Sequence, residues 1–224
     1  MTILTAPWRL ADGSRAPGFS VPRCELDPNG GMAFNPAAQF EFDQTLNYAR
    51  PRWSLSIEVV AHTPQAEGQL RAVAALLKMD GARIRMGDER ASRPHAYVTG
   101  TGRPWLANPA VEASIVAVTA TTITVGGLAP GAVIGAGDLL DYTFENERRL
   151  FQVAPSDLGA QTVPGNGQLV LPLLPRPRAA AVGTAVRFDG ARGVFTAVRG
   201  ETRVAMQPGP NGVSLQINGA LECR

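Results

Sequence analysis

The sequence predicts a mainly β fold, a sandwich or a barrel, that carries a single amphipathic α-helix. Three observations lead to this prediction. Glycine (24) and proline (18) are scattered through the 224 residues without a period, which indicates many turns. Between the turns, β-branched and aromatic residues alternate with polar ones over short runs. Only one segment repeats its apolar residues with helical spacing, so a helical bundle is excluded.

The first clear strand begins at Arg52. Residues 1–50 before it are rich in glycine and proline and predict turns between short extended pieces. From Arg52 onward apolar residues alternate with polar ones, as expected for a strand with one buried face. The side chains of this strand that are predicted to lie in the core are Trp53, Leu55 and Ile57.

One amphipathic helix is predicted near residues 64–79. Thr63 is a favoured N-cap residue, and Pro64 suits the first helical position. An alternating run at residues 82–86 follows the helix and predicts a further strand. The apolar residues that share one helix face, and are therefore predicted to join the core, are Leu70, Val73 and Leu77.

From Val111 onward, short alternating runs predict a series of strands separated by turns. The two residues Glu145-Asn146 are predicted to join two of these strands as a turn, and residues 208–212 the last two. The predicted strands cover residues 115–119, 122–125, 138–144, 149–153, 169–171, 185–188, 194–198, 203–207 and 213–217.

Charge and hydropathy exclude several classes of function. The 21 basic and 19 acidic residues give a net charge of +2 with no block of like charge, so no nucleic-acid-binding face is predicted. The longest apolar stretch, residues 72–77, is far shorter than the roughly 20 residues that span a bilayer. Residues 1–10 lack the pattern of a signal peptide, which predicts a soluble protein made in the cytoplasm.

The residues that could carry chemistry do not form a known motif. Cys24 and Cys223 lie near opposite ends of the chain, so two reduced thiols are favoured over a disulfide. The two histidines, His62 beside the predicted helix cap and His95 in a loop, lack the spacing of metal ligands. Neither histidine has a motif context that pairs it with a nucleophilic serine.

Two further patterns have a structural interpretation. The glycine-rich residues 131–138 lack the Gly-Lys-Ser/Thr ending of a phosphate loop and precede a strand, so they predict a turn. The carboxylate pairs Glu41/Asp43 and Asp138/Asp141 could flank a glycosidic bond, but solvation of the outer face of a sheet is the favoured interpretation. No catalytic, cofactor-binding or metal-binding residue is predicted, and the protein is expected not to be an enzyme.

Two groups of segments resemble tail proteins of long-tailed bacteriophages and prophages. A tryptophan-bearing strand, a helix that ends near glycine and a further strand form the first group, which comprises Trp53-Ser-Leu-Ser-Ile-Glu-Val, Thr63-Pro-Gln-Ala-Glu-Gly-Gln-Leu70 and Ala75-Leu-Leu-Lys-Met-Asp-Gly81. A pattern similar to the compact β-module of these proteins forms the second, which comprises Leu128-Ala-Pro-Gly131, Gly137-Asp-Leu-Leu, Arg149-Leu-Phe-Gln-Val153, Gln168-Leu-Val-Leu-Pro172-Leu-Leu-Pro-Arg176 and Gly183-Thr-Ala-Val186.

The resemblance implies a distal tail protein, which is a structural subunit of the virion at the tail tip. Such subunits combine a tube-type fold with a small β-barrel-like module, and they form a ring, usually a homohexamer, that joins the tail tube to the baseplate or receptor-binding apparatus. The implied partners are further copies of the chain, the tail tube and the hub or baseplate proteins. Assembly would take place in the host cytoplasm.

The resemblance also implies a domain organisation. Residues 1–110 together with 188–224 would form the ring, and residues 111–187 would be an inserted β-module. A simple order of two consecutive domains is the competing interpretation.

Two alternatives to a distal tail protein stay open. The first is another tail component, such as a tube, terminator or hub subunit. The second is a carbohydrate-binding β-module, which would present an aromatic side chain on an exposed face. Trp105 lies in a predicted turn region and is the candidate for such an exposed contact.

Overall fold

A computed structural model of the chain describes most of its residues. The described ranges are 3–8, 15–29, 32–34, 45–47, 52–79, 83–88, 93–100, 102–155, 159–197, 203–206 and 213–221.

Short strands dominate the described residues, with one α-helix and one turn of 3₁₀ helix, η1. The elements before residue 100 are β1 (Ile3–Thr5), β2 (Phe19–Asn29), β3 (Met32–Phe34), β4 (Thr45–Asn47), β5 (Arg52–Ala61), α1 (Pro64–Met79), β6 (Arg83–Met86) and η1 (His95–Tyr97). The later elements are β7 (Ala113–Val118), β8 (Thr122–Gly126), β9 (Val133–Ile134), β10 (Leu139–Phe144), β11 (Glu147–Val153), β12 (Gln161–Thr162), β13 (Leu169–Leu174), β14 (Ala185–Arg187), β15 (Gly193–Ala197), β16 (Arg203–Met206) and β17 (Val213–Leu221).

The first and last strands of the chain share one open sheet. Its strand order is β1-β6-β15-β17-β5-β2, and β16 pairs with β17 as a seventh strand. Strand β1 runs parallel to β6, while the other pairs are antiparallel. Two small two-stranded sheets, β3 with β4 and β9 with β12, lie outside this sheet.

Helix α1 contacts β5, β16 and β17 of the sheet. At its start the Ala66 amide donates to Thr63 Oγ1 at 3.3 Å, which confirms Thr63 as the capping residue. The core between helix and sheet contains all six residues predicted to be there, so this prediction is confirmed for Trp53, Leu55, Ile57, Leu70, Val73 and Leu77.

The middle of the chain forms a closed barrel of six strands, in the order β10-β11-β13-β8-β7-β14. A second hydrophobic core fills it, in which the rings of Tyr142 and Phe151 stack with their centroids 4.5 Å apart. Closure removes the exposed edges that an open sheet of this size would have. The barrel core also includes Trp105, Leu106 and Phe188, which lie outside the predicted module 111–187.

The predicted fold class is confirmed, because the described residues are mainly β with one α-helix and include a closed barrel. The barrel strands lie in sequence between strands of the sheet, since β15 and β17 return to β6 and β5. The division into a ring-forming unit and an inserted module stays a prediction. Within the described chain, no helix has both the length and the apolar character needed to cross a bilayer.

Strand β2 is the largest departure from the predicted elements. It has 11 residues in a region where only short extended pieces are predicted. Pro22 and Pro28 indicate turns in the sequence, because proline is tolerated in a sheet only on edge strands or at bulges. Among the described strands β2 lies at the edge of the sheet, and its pairing with β5 has a bulge between Ser20 and Arg23. Some of the sequence predictions concern residues outside the described ranges. These are the predicted loop 208–212, Cys223 and the Glu41/Asp43 pair.

Candidate functional site

The junction between the sheet and the barrel concentrates many of the polar contacts between distant parts of the chain. Trp53 of β5 donates its indole N–H to the carbonyl of Leu150 in β11, with 3.1 Å between the two atoms. Leu150 and Leu139 point out of the barrel and belong to the core of the sheet. Arg83 of β6 forms an ion pair with Glu147 of β11. One face of the barrel is therefore packed onto the sheet.

Ion pairs hold together the two segments that connect the sheet and the barrel. Arg93 and Arg103, on the outgoing segment, lie 3.6 Å and 3.8 Å from the carboxylate of Asp189 on the returning segment. Glu112 then pairs with Arg103 at 2.7 Å and with Arg187 at 3.3 Å. Arg187 is exposed, but the other side chains of the network are half-buried, so water screens their interaction less than at an open surface. The network fixes the two connections side by side.

Asp141 of β10 is the buried carboxylate of the junction, with 1% of its surface exposed. Its side chain forms an ion pair with Arg148 of β11 and accepts the backbone N–H of Arg192 at 2.8 Å. Burial raises the pKa of Asp141 to about 6, and the nearby Arg148 and Arg187 oppose that rise. The carboxylate links the barrel to the returning segment.

Asp138 is also buried and fastens a loop to the barrel. It accepts the backbone N–H groups of His95 and Gly135, each at 2.7 Å, and His95 Nδ1 lies 2.6 Å from the same carboxylate. The imidazole of His95 is 60% exposed, so its second nitrogen faces water. The interpretation of the Asp138/Asp141 pair as outward, solvated carboxylates is wrong, because both side chains are buried. Each also accepts a backbone N–H from a residue far away in sequence, His95 for Asp138 and Arg192 for Asp141.

The prediction that Trp105 is exposed is wrong. Its side chain is fully buried, as are those of Trp8 and Trp53. The turn that carries Trp105 folds back onto the barrel, where the ring lies 5.4 Å from Tyr97 and the Arg93 guanidinium lies 5.6 Å from the ring centroid. A turn rich in glycine and proline usually lies at the surface and so favours an exposed side chain. In this turn, however, the Trp105 side chain packs into the barrel core.

Ser20 and His62 form a contact that is not predicted from the sequence. Ser20 Oγ lies 2.8 Å from His62 Nε2, and the His62 backbone N–H donates to the carbonyl of Gly18 at 2.8 Å. No carboxylate in the described part of the chain hydrogen-bonds to His62. The pair joins β2 to the start of α1, and no sequence motif marks it, because its members are 42 residues apart.

The edges of the sheet at β1 and β2 are a second candidate surface. Among the described strands, none pairs with the outer edge of β1 or of β2. On β2 an exposed ion pair joins Arg23 and Glu25 at 2.8 Å, next to Pro22. Charge and proline are the usual means of preventing unspecific pairing at an edge strand.

The described residues contain no group of three or more histidine, cysteine or acidic side chains that could hold a metal ion. The polar contacts found here fasten loops and join elements. No model of a known protein family matches the chain, and neither does any curated protein.

Proposed function

We propose that this protein is a structural subunit of the tail tip of a long-tailed bacteriophage or a related particle. Identical copies would close into a ring, a homohexamer, that joins the tail tube to the baseplate or receptor-binding apparatus. The observation that supports the proposal most is an open sheet, made from both ends of the chain and covered by one helix, with a closed barrel inserted between its strands. This arrangement agrees with what the resemblance of residues 50–198 to distal tail proteins implies.

The open sheet supports a head-to-tail ring in particular. In such a ring each subunit uses two different surfaces, one for each neighbour. The edges at β1 and β2 are two different surfaces at opposite ends of one sheet. Among the described strands, none pairs with their outer backbone groups, whereas the strands of a closed barrel are all paired on both sides.

The junction supports a second task, which is to hold a docking module in a fixed position. A barrel that is bound to the sheet by packed leucines, the Trp53–Leu150 hydrogen bond and ion pairs has one orientation relative to the sheet. Each copy would then present its barrel to the hub or baseplate proteins in the same way.

The other functions considered have less support. Another tail component, such as a tube, terminator or hub subunit, would share the sheet and remains the alternative within the same class. The carbohydrate-binding hypothesis requires an exposed aromatic side chain, for which Trp105 was the candidate. Because the Trp105 indole is buried, this hypothesis has no supporting observation.

A charge exchange on β2 tests the use of the sheet edge in assembly. Arg23→Glu combined with Glu25→Arg keeps the exposed ion pair within the chain but reverses the charges shown to a neighbour. We expect at least a tenfold higher protein concentration for half-assembly, since a neighbouring surface that is complementary to Arg23 and Glu25 would then meet the opposite charges. The measurement is the molar mass by light scattering over a dilution series.

The matched control is the exchange Glu67→Arg with Arg71→Glu, which inverts an exposed ion pair on helix α1. We expect this variant to assemble like the unmodified chain. Equal assembly of all three proteins would show that β2 is outside the contact, and a monomeric unmodified chain would contradict the ring itself.

A further inference from the structure

Three buried polar atoms without a hydrogen-bond partner lie on two neighbouring strands of the sheet. Arg83 and Arg85 belong to β6, and Thr196 belongs to β15, which pairs with β6. Within the described part of the chain, the Nε atoms of both arginines and the hydroxyl of Thr196 are buried and have no hydrogen-bond partner. Because buried polar groups are nearly always hydrogen-bonded, three such atoms on adjacent strands are unusual.

The strand register places the three side chains on one face of the sheet. Ile84, which lies between the two arginines, points into the core, so Arg83 and Arg85 lie on the opposite face. Thr196 is the direct partner of Arg83 on β15 and shares its face. Arg85 and Thr196 are diagonal neighbours, which are typically about 7–8 Å apart and within reach of a long side chain.

The charge of this face is only partly neutralised. Arg83 forms an ion pair with Glu147 through Nη1, whereas no described carboxylate pairs with Arg85. Val194, the strand partner of Arg85, is only 4% exposed, so water is partly excluded beside the guanidinium and electrostatic attraction is stronger there. The face therefore combines one positive charge that lacks a partner with N–H and O–H donors, which complements an anion with several oxygen atoms.

We propose that Arg83, Arg85 and Thr196 form a binding site for a small oxyanion of the phosphate class. Arg85 supplies the charge, while Arg83 Nε and the Thr196 hydroxyl donate hydrogen bonds to the oxygen atoms. The bound oxyanion gives these groups the partners that the described chain does not supply, which offsets the cost of burying them. The site lies within one subunit and does not depend on the proposed ring.

Titration calorimetry of the full chain with inorganic phosphate tests the site. Chloride keeps the ionic strength constant, so that general screening of charge does not contribute. We expect one phosphate to bind per chain, and Arg85→Gln to bind it at least about tenfold more weakly, because the charge is removed. The matched control is Arg71→Gln on helix α1, which removes an exposed arginine and should bind phosphate like the unmodified chain.

Two further variants are expected to change the affinity in opposite directions. Thr196→Val keeps the shape of the side chain but removes the hydroxyl, and should weaken phosphate binding roughly fivefold. Glu147→Gln removes the carboxylate that competes for Arg83, and should make binding several-fold tighter. Loss of folding cannot produce tighter binding, so this variant tests the site even if Arg85→Gln fails to fold.

The site is refuted if the unmodified chain does not bind phosphate, if Arg85→Gln binds it equally well, or if Glu147→Gln binds it more weakly. Light scattering of the same samples identifies one competing occupant. If phosphate does not bind while Arg85→Gln lowers the molar mass, Arg85 contacts a carboxylate of a neighbouring chain, and the site for a free oxyanion is wrong.

Discussion

At the scale of single residues, two glycines differ in what surrounds them. A Cβ atom at Gly87 would meet the backbone of Ala191, whereas at Gly68, within α1, nothing lies within 4 Å. We expect Gly87→Ala to destabilise the protein by about 2 kcal/mol, because the returning segment must move. Gly68→Ala should stabilise it by about 1 kcal/mol, because alanine is the better helix former. Urea unfolding measures both, and similar effects of the two substitutions would contradict the close approach at Gly87.

Single residues were predictable where local periodicity decides their position. Trp53 and Leu55 were assigned to the core from alternation with polar neighbours, and both are buried. Local periodicity does not predict the burial of Trp105, Asp138 and Asp141, because their burial depends on partners that are distant in sequence. Asp138, for example, is bonded to His95, 43 residues away, and a pattern within one segment carries no signal of such a contact.

At the scale of elements, the β10–β11 hairpin has a turn under local strain. Glu145 and Asn146 have φ angles of 49° and 64°, the left-handed region that asparagine tolerates better than glutamate. We expect Glu145→Asn to raise the free energy of unfolding by about 0.5–1 kcal/mol. Glu145→Gln is the matched control and should have little effect, and equal stability of all three proteins would contradict the turn geometry.

The elements themselves were predicted best where the pattern is long. The sixteen residues of α1 match the predicted range, because the cap, the helical spacing and the following glycine agree. Strand β2 was missed because its two prolines indicate turns unless the strand is known to lie at an edge. Edge position is a property of the sheet, so no local pattern reveals it.

At the scale of the whole molecule, closure of the barrel cannot be predicted from the pattern of residues along the chain. Strand β14 pairs with both β7 and β10, and the partners Val186 and Ala113 are more than seventy residues apart. The alternation of apolar residues predicts that these strands exist but not which neighbours they choose. The mainly β class and the presence of a barrel-like module were predictable, whereas the polar junction between sheet and barrel was not.

Assembly is the property of the whole molecule on which the proposed function depends most. The test is the molar mass of the purified full chain by light scattering, with electron microscopy of the same sample. A tail-tip ring predicts closed ring-shaped particles, with the mass of six copies of the 23.6 kDa chain. A mass of one chain at every protein concentration, with no ring in the images, would contradict it.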